Sequence, residues 1–429
     1  MAPRVWHAHA VTCTALVLAV TGTPAHAQDR DLGRETLAAG DGWASEGIGT
    51  TGGSAADAAH VFTVTTWDEF RAALRDGGNA PKIIKVKGMI DAVSEGCDAF
   101  EADGYDFQQY LADYDPAVWG HDTPVSGEQE DLRAASAANQ DQTIKANVPA
   151  NTTIVGVGKG SGILGGSLQI KGVDNVILRN LTIEAPVDCF PQWDPTDDNK
   201  TGAWNSEYDG VVVYGSTHVW IDHNTLTDGR YPDSTLPSYF GKVYQQHDGL
   251  VDIVRGANHV TVSWNSFKDH DKTMLIGNSD SAGSTDSGKL KVTLHHNRFE
   301  GIVERAPRVR FGQVDSYNNH FVVTASQKFG YVFGIGASSQ LYATDNAISL
   351  PASVSAAKTL KKWSEAPLTA ENNYVNGKQT DLIAVHNAEI PQETLQSGAG
   401  WTPSLRTKVD SPRAVPGIVD QRAGAGKVC

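Results

Sequence analysis

The sequence predicts an all-β fold: a solenoid of stacked turns, a parallel β-helix with long loops inserted on one face and an N-terminal helical cap. Two observations carry this. Short β-type runs broken by Gly, Asn and Asp begin at Thr152 and recur far along the chain. Within them one unit repeats: a branched aliphatic, Asn five positions on, then an apolar residue two further. It reads Val219/Asn224/Leu226, Val260/Asn265/Phe267, Val292/Asn297/Phe299, Val314/Asn319/Phe321, Leu341/Asn346/Ile348 and Leu368/Asn373/Val375. Val176/Leu181/Ile183 is a degenerate first member. Successive asparagines lie 41, 32, 22, 27 and 27 residues apart. The short spacings fit one solenoid turn, and the long ones a turn carrying a loop. Each such turn buries its strand residues only by stacking on the next. Asn suits a corner, because it tolerates the left-handed conformation and its amide can bond the neighbouring turn's backbone. These asparagines are therefore expected to be left-handed, and structural rather than ligands. The scarcity of Asn-Gly between strands disfavours a hairpin-built sandwich. The irregular period disfavours a propeller.

The remaining elements follow in order. Arg4, the apolar run Val11 to Val20 and Ala25-His26-Ala27 form a secretory signal over residues 1–27, so the mature chain is expected to start at Gln28. Residues 28–60, rich in Gly, Ala and Ser, are expected to form the first turns and a cap. Apolar residues at 67, 70, 73 and 74 after Thr66 predict a capped helix, which Gly77-Gly78 ends. Lys82 to Ile90 alternates as a strand. Residues 91–146 are polar and acidic, and predict a long excursion with one or two helices. The whole of residues 28–429 is expected to be one β-helix domain, secreted, extracellular and monomeric.

Charge and cysteines narrow the function. A net charge of −15 speaks against nucleic acid or an anionic membrane as partner. No later run reaches the roughly 18 apolar residues of a membrane span. Cys13 leaves with the signal, and Cys97, Cys189 and Cys429 remain. Cys97–Cys189 is the expected disulfide, because both lie in long polar insertions and Cys429 ends the chain.

The loops carry the chemistry. Insertions concentrate before Asp209, between Asp228 and Asp248, and between Ile276 and Lys289. Glu207/Asp209 and Asp248/Asp252 have even spacing, which puts each pair on one face of extended chain. Stacked turns would then crowd four carboxylates together. They are either solvated loop acids or the ligands of a bridging cation, and oxygen ligands favour Ca²⁺ over zinc. Asp269-His270-Asp271-Lys272 follows the next strand. Glu304-Arg305-Ala306-Pro307-Arg308-Val309-Arg310 follows the one after, with Arg308 and Arg310 on one face and Arg305 at a corner stiffened by Pro307. Acids beside bases on consecutive turns suit a polyanionic chain bridged in part by metal. Asp222-His223 reads as an internal packing pair. His295-His296, alternating in a strand, cannot both reach one metal. Gly156 to Gly160 lacks the ending of a phosphate-binding loop and reads as a turn.

These stretches resemble a family. Cys189 to Pro195, Val219 to His223, Gln246 to Gly249, Asp271 to Gly277 and Glu304 to Arg310 together resemble secreted bacterial pectate lyases of polysaccharide lyase family 1, of the alkaline type. The resemblance covers essentially all the mature chain and implies a right-handed parallel β-helix. It implies that Asp209, Asp248 and Asp252 bind Ca²⁺, with Glu207 a further candidate ligand. It implies Arg305 as catalytic base, Lys272 as a catalytic contact to the substrate carboxylate at the cleavage site, and Arg310 as a second carboxylate grip. Arg308 is a further substrate-binding candidate, or an ion-pair partner. The reaction implied is Ca²⁺-dependent β-elimination of polygalacturonate, giving 4,5-unsaturated oligogalacturonides. A pectin lyase acting on methylated pectin and a non-catalytic polyuronate-binding β-helix are the alternatives.

Overall fold

The computed structural model describes residues 31–325 and 328–428, so Cys13, Cys429 and the signal segment lie outside the described residues. Residues 33–429 form one compact unit. Its strands stack in parallel, turn upon turn, as the repeat predicts. One eight-stranded sheet runs through Lys145–Asn147, Ser167–Lys171, Val211–Tyr214, Val251–Val254, Leu275–Ile276, Arg308–Val309, Phe333–Ile335 and Leu360–Lys362. We call it the site sheet. The repeat strands form the other walls. Thr217–Asp222 pairs with Asn258–Ser263, which pairs with Val292–His295 and then Gln313–Tyr317. Their register places Val219, Val260, Val292 and Val314 in one column, all fully buried. The apolar residue after each Asn stacks likewise. The Phe267 ring centre lies 4.7 Å from that of Phe299 with the rings nearly parallel, and Phe299 lies 4.9 Å from Phe321.

The asparagines form the predicted ladder. The Asn224 N–H donates to Oδ1 of Asn265 (2.8 Å), Asn265 to Asn297 (2.9 Å), Asn297 to Asn319 (3.0 Å), Asn319 to Asn346 (3.0 Å) and Asn346 to Asn373 (3.1 Å). Each amide Nδ2 donates back to a carbonyl of the preceding turn, as Asn297 does to Val262 (2.8 Å). The degenerate member fits: Leu181, with no amide, still donates its N–H to Asn224. One expectation is corrected. The left-handed residue is the one before each Asn: His223, Trp264, His296, Asn318, Asp345 and Asn372. The corner bends one position earlier, which turns the amide inward to its neighbours.

The cap and the termini depart from expectation in one respect. Helix Trp67–Arg75, capped by the Thr66 hydroxyl, buries Trp67, Phe70, Ala73 and Leu74 in the main core. The segment before it is not a cap. It straps the repeat sheet, where the Trp43 and Ala44 N–H groups donate to the hydroxyls of Thr293 and Thr261 (both 3.0 Å). Its own glycines and small residues supply too little apolar surface to close the coil's end. The C-terminal segment lies beside it: the Gly42 N–H donates to the Leu405 carbonyl, and the Thr407 hydroxyl to Asp41.

Beneath these straps lie pairs that the alternation argument misplaced. His295 ends a strand and His296 takes the left-handed corner, so both rings turn the same way, with Nδ1 atoms 2.9 Å apart. His295 faces Asp41 of one strap and His296 faces Asp410 of the other. Asp222 and His223 are a buried packing pair, but under the straps with Arg179, outside the coil.

The long excursion holds a 3₁₀ turn and three helices, chief among them Glu128–Ile144. Cys97 and Cys189 are bonded, with Cα atoms 5.5 Å apart. Arg133 fastens the excursion to the loop after Cys189 by one bond to the Phe190 carbonyl (2.7 Å), its guanidinium held by two bonds to Glu130 on the same helix. Tyr110, Tyr114, Trp193, Trp204 and Tyr244 form a second core between the inserted loops.

Two outcomes are expected. Asn297→Ala strands the Asn265 N–H and the Val262 carbonyl in a buried corner, and should cost on the order of 3 kcal/mol in denaturant unfolding. The His pair sets an acid limit. Burial pushes His295 below its usual range, and burial with His295 beside it pushes His296 down to about 3. The fold therefore holds these rings neutral while the unfolded chain binds protons near pH 6.5. Stability should fall as pH drops from about 6.5 towards 3, and a His295→Gln/His296→Gln double variant should flatten that slope in thermal melts.

Candidate active site

The site sheet's parity decides which side chains face out. On Val251–Val254, Val251 and Ile253 enter the core while Asp252 points outward, 8% exposed. Tyr208 is likewise a core residue, so Glu207 and Asp209 flank it outward. Register then aligns turns. Val212 pairs with Asp252, Ile253 with Ile276, and Leu275 with Arg308. Asp252 and Arg308 thus occupy one outward column, with Leu275 between them. The Lys272 backbone pairs in parallel with that of Glu304 on the next turn, and the Met274 N–H donates to the Arg305 carbonyl (2.7 Å). The acids, Lys272 and Arg305 therefore come from four consecutive turns.

Asp209 and Asp252 close over Gly249. A Cβ there would lie 2.5 Å from Asp252 Oδ1 and 2.7 Å from Asp209 Oδ1, so only glycine fits. Asp209 Oδ1 accepts from the Gly249 N–H (2.7 Å), and Asp252 Oδ1 from the Leu275 N–H (3.0 Å). Asp248 Oδ1 accepts from Lys272 Nζ at 3.3 Å. Burial, then Asp252 and Asp248, raises the pKa of Asp209 well above the carboxylate range. Burial, then Asp248, raises Asp252 to about 7. Three carboxyl groups held against their own repulsion, all oxygen donors, fit a hard cation such as Ca²⁺.

Glu207 sits differently. It is exposed, and its N–H donates to Asp188 Oδ2 (3.1 Å). Asp188, which sequence reasoning missed, is 2% exposed, and burial pushes it up to about 7. Its one sequence signal is its place beside Cys189. Among the described residues, one set of His and carboxylate ligand atoms lies mutually within 4.8 Å: Asp228, Asp233 and His247. Both ring nitrogens of His247 face carbonyl oxygens, of Pro186 (2.9 Å) and Tyr231 (2.8 Å), so neither is free to bind metal. His270, between Asp228 and the Asp248 carbonyl (2.7 Å), fixes the Asp248 backbone instead.

The arginines take three different partners. Arg305 has a left-handed φ of 60° at the corner before a cis Ala306–Pro307 peptide, and its Nε donates to Glu304 (3.0 Å). Burial works against its charge, but Glu304, Asp252 and Asp248 outweigh that and hold its pKa above the ordinary value. Arg310, 9% exposed, bonds Asp280 of the loop after Gly277 and the Gly277 carbonyl (2.8 Å). Arg308 has no carboxylate partner among the described residues, which corrects the ion-pair option: its guanidinium lies 4.1 Å from the centre of the Trp363 ring. Asp280 and Trp363 gave no sequence signal, because both contacts join distant segments.

The chain was compared with known proteins. The family model described as pectate lyase matches residues 19–109 and 111–396. A pectate lyase of Bacillus subtilis strain 168 is 46% identical over 426 residues, 97% of this chain and 98% of the relative. Pectate lyase E of Dickeya chrysanthemi is 40% identical over 80% of this chain and 74% of its own length. The solved structure of a pectate lyase bound to a hexasaccharide superposes with a TM-score of 0.88 at 45% identity, covering 93% of this chain and all of that one. A pectate lyase of Acidovorax avenae gives 0.84 at 32%, covering 96% and 99%.

Asp209→Asn keeps the oxygen that accepts from Gly249 but removes one of the three competing charges. In metal-free protein at pH 8 it should raise stability by on the order of 1 kcal/mol. The gain should shrink near pH 4, below the raised pKa of Asp209 and Asp252, and paired melts at the two pH values check it.

Proposed function

The chain belongs to the pectate lyase family, and on that premise we propose that it is a secreted, Ca²⁺-dependent lyase cleaving polygalacturonate by β-elimination, acting as a monomer. The observation that carries this is the meeting of Asp209, Asp248 and Asp252 with Lys272 and Arg305 on four consecutive turns. Such a face, acid beside base, suits a uronate chain and little else. The N-terminal signal pattern supports secretion, and among the described residues no helix is long and apolar enough to cross a membrane.

Asp209, Asp248 and Asp252 would hold the calcium ion, which when bound neutralises a uronate carboxylate and so acidifies the proton on C5. Lys272, next to Asp248, reaches the same carboxylate and shares in that neutralisation. Arg305 removes the C5 proton. The electron pair forms the C4–C5 double bond, the C4–O bond breaks, and the departing oxygen takes a proton from solvent. Arginine is a weak base for this, because guanidinium holds its proton. In the protein alone, Glu304, Asp252 and Asp248 bind that proton still more firmly. Two of those three are proposed cation ligands, so the groups that obstruct proton loss are the ones a cation would neutralise. Activity then belongs to alkaline pH. Arg310 grips a second carboxylate by exchanging Asp280 for substrate, since Asp280 is the exposed member of that pair. Glu207 remains a candidate outer ligand beside Asp188.

An assay on polygalacturonate following the ultraviolet absorbance of the unsaturated product tests the reading. EDTA should abolish the signal and Ca²⁺ restore it, with activity rising from pH 6 to 9. Arg305→Lys should lose about 10³-fold or more in kcat. Activity that survives EDTA, or a preference for methylated pectin, would select the pectin lyase alternative.

A further inference from the structure

Arg308 is the member of the basic cluster with no hydrogen-bond acceptor among the described residues. Its Nε is buried without a partner. Arg305 and Arg310 each hold a carboxylate already. Burial, then Arg310 nearby, pushes its pKa down, so its charge lacks compensation. A half-buried guanidinium with unfilled donors is costly unless an anion reaches it.

Its surroundings look built for one. Arg308 pairs in register with Gly334, and Gly334 with Lys361. A Cβ on Gly334 would lie 3.1 Å from Arg308 Cγ, so the glycine makes the gap through which the guanidinium reaches Trp363. Trp363 continues the next strand, its N–H donating to the Ile335 carbonyl (2.8 Å). The ring is 45% exposed although Arg308 stacks on it and Lys361 Nζ stands 5.6 Å from its centre. An exposed Trp ring beside an unfilled guanidinium offers an apolar surface and a carboxylate donor side by side.

The direction of the column identifies the occupant. Asp252, Leu275, Arg308, Gly334 and Lys361 run outward along one line of the site sheet. Arg308 is two strand spacings from Asp252, roughly 10 Å. We propose that Arg308 and Trp363 form a distal subsite for the same polyuronate chain, Arg308 bonding one uronate carboxylate and Trp363 covering the C–H face of a sugar ring. This rests on the function proposed above and extends it: the cleft runs past the cleavage site towards the C-terminal turns, and chain length decides affinity.

The test compares KM and kcat of the full chain, with Ca²⁺ present, on trigalacturonate and on long polygalacturonate. Trp363→Ala and Arg308→Ala should raise KM for the polymer about tenfold and for the trimer less than twofold, with kcat lowered less than threefold on either. Arg308→Lys keeps the charge but loses the stacked fork, and should recover only part of the polymer KM. Melting curves confirm that the variants fold, and Trp363→Phe replaces any Trp363→Ala protein that does not. Wild-type turnover with equal KM changes on both substrates, or none, overturns this inference alone. Absence of wild-type turnover overturns the functional reading and the inference with it.

Discussion

A coil of strands can stack only if every corner hides its backbone polar groups. Here one amide per turn does that. Each Asn side chain accepts from the N–H of the preceding Asn and donates back to a carbonyl of that preceding turn, so neighbouring turns are held at a single register. A slip by one residue would break the ladder and turn Val219, Val260 and Val292 out of the core. The active face inherits this register. Asp252 and Arg308 share a column because the opposite wall cannot shift, and loops as long as those before Asp209 and Asp248 can vary without disturbing it.

On that fixed frame the electrostatics are deliberately unbalanced. Asp209 and Asp252 are held where their charges repel, and Gly249 is the residue that lets them approach. The same carboxylates bind the proton on Arg305 more tightly. The acid cluster and Arg305 are thus coupled through charge across neighbouring turns. The like-charge repulsion sits in the site, while the Asn ladder away from it has its amides bonded.

Much of this was legible in the residues. The solenoid showed in the repeat, because a one-dimensional stack imposes one local pattern on every turn. The disulfide and the helix after Thr66 showed in their local context. The site residues Asp209, Asp248, Asp252, Lys272 and Arg305 stood out by chemistry and by position after successive strands. The errors have a common cause. The left-handed corner fell one residue early, the histidine pair met rather than alternated, and the segment around Trp43 strapped the side of the coil. In each case chain geometry at a corner, or a distant segment, overrode the local pattern.

By itself, then, the sequence determined the architecture and marked the candidate site groups, since periodicity and residue chemistry are local properties. Only the tertiary structure decided their partners. It placed Glu207 with Asp188, closed Asp280 on Arg310, and set Arg308 against Trp363. Those pairings span from 19 to 55 residues of chain. Which side chains meet over such distances depends on strand register and loop path, and no short stretch of sequence encodes either.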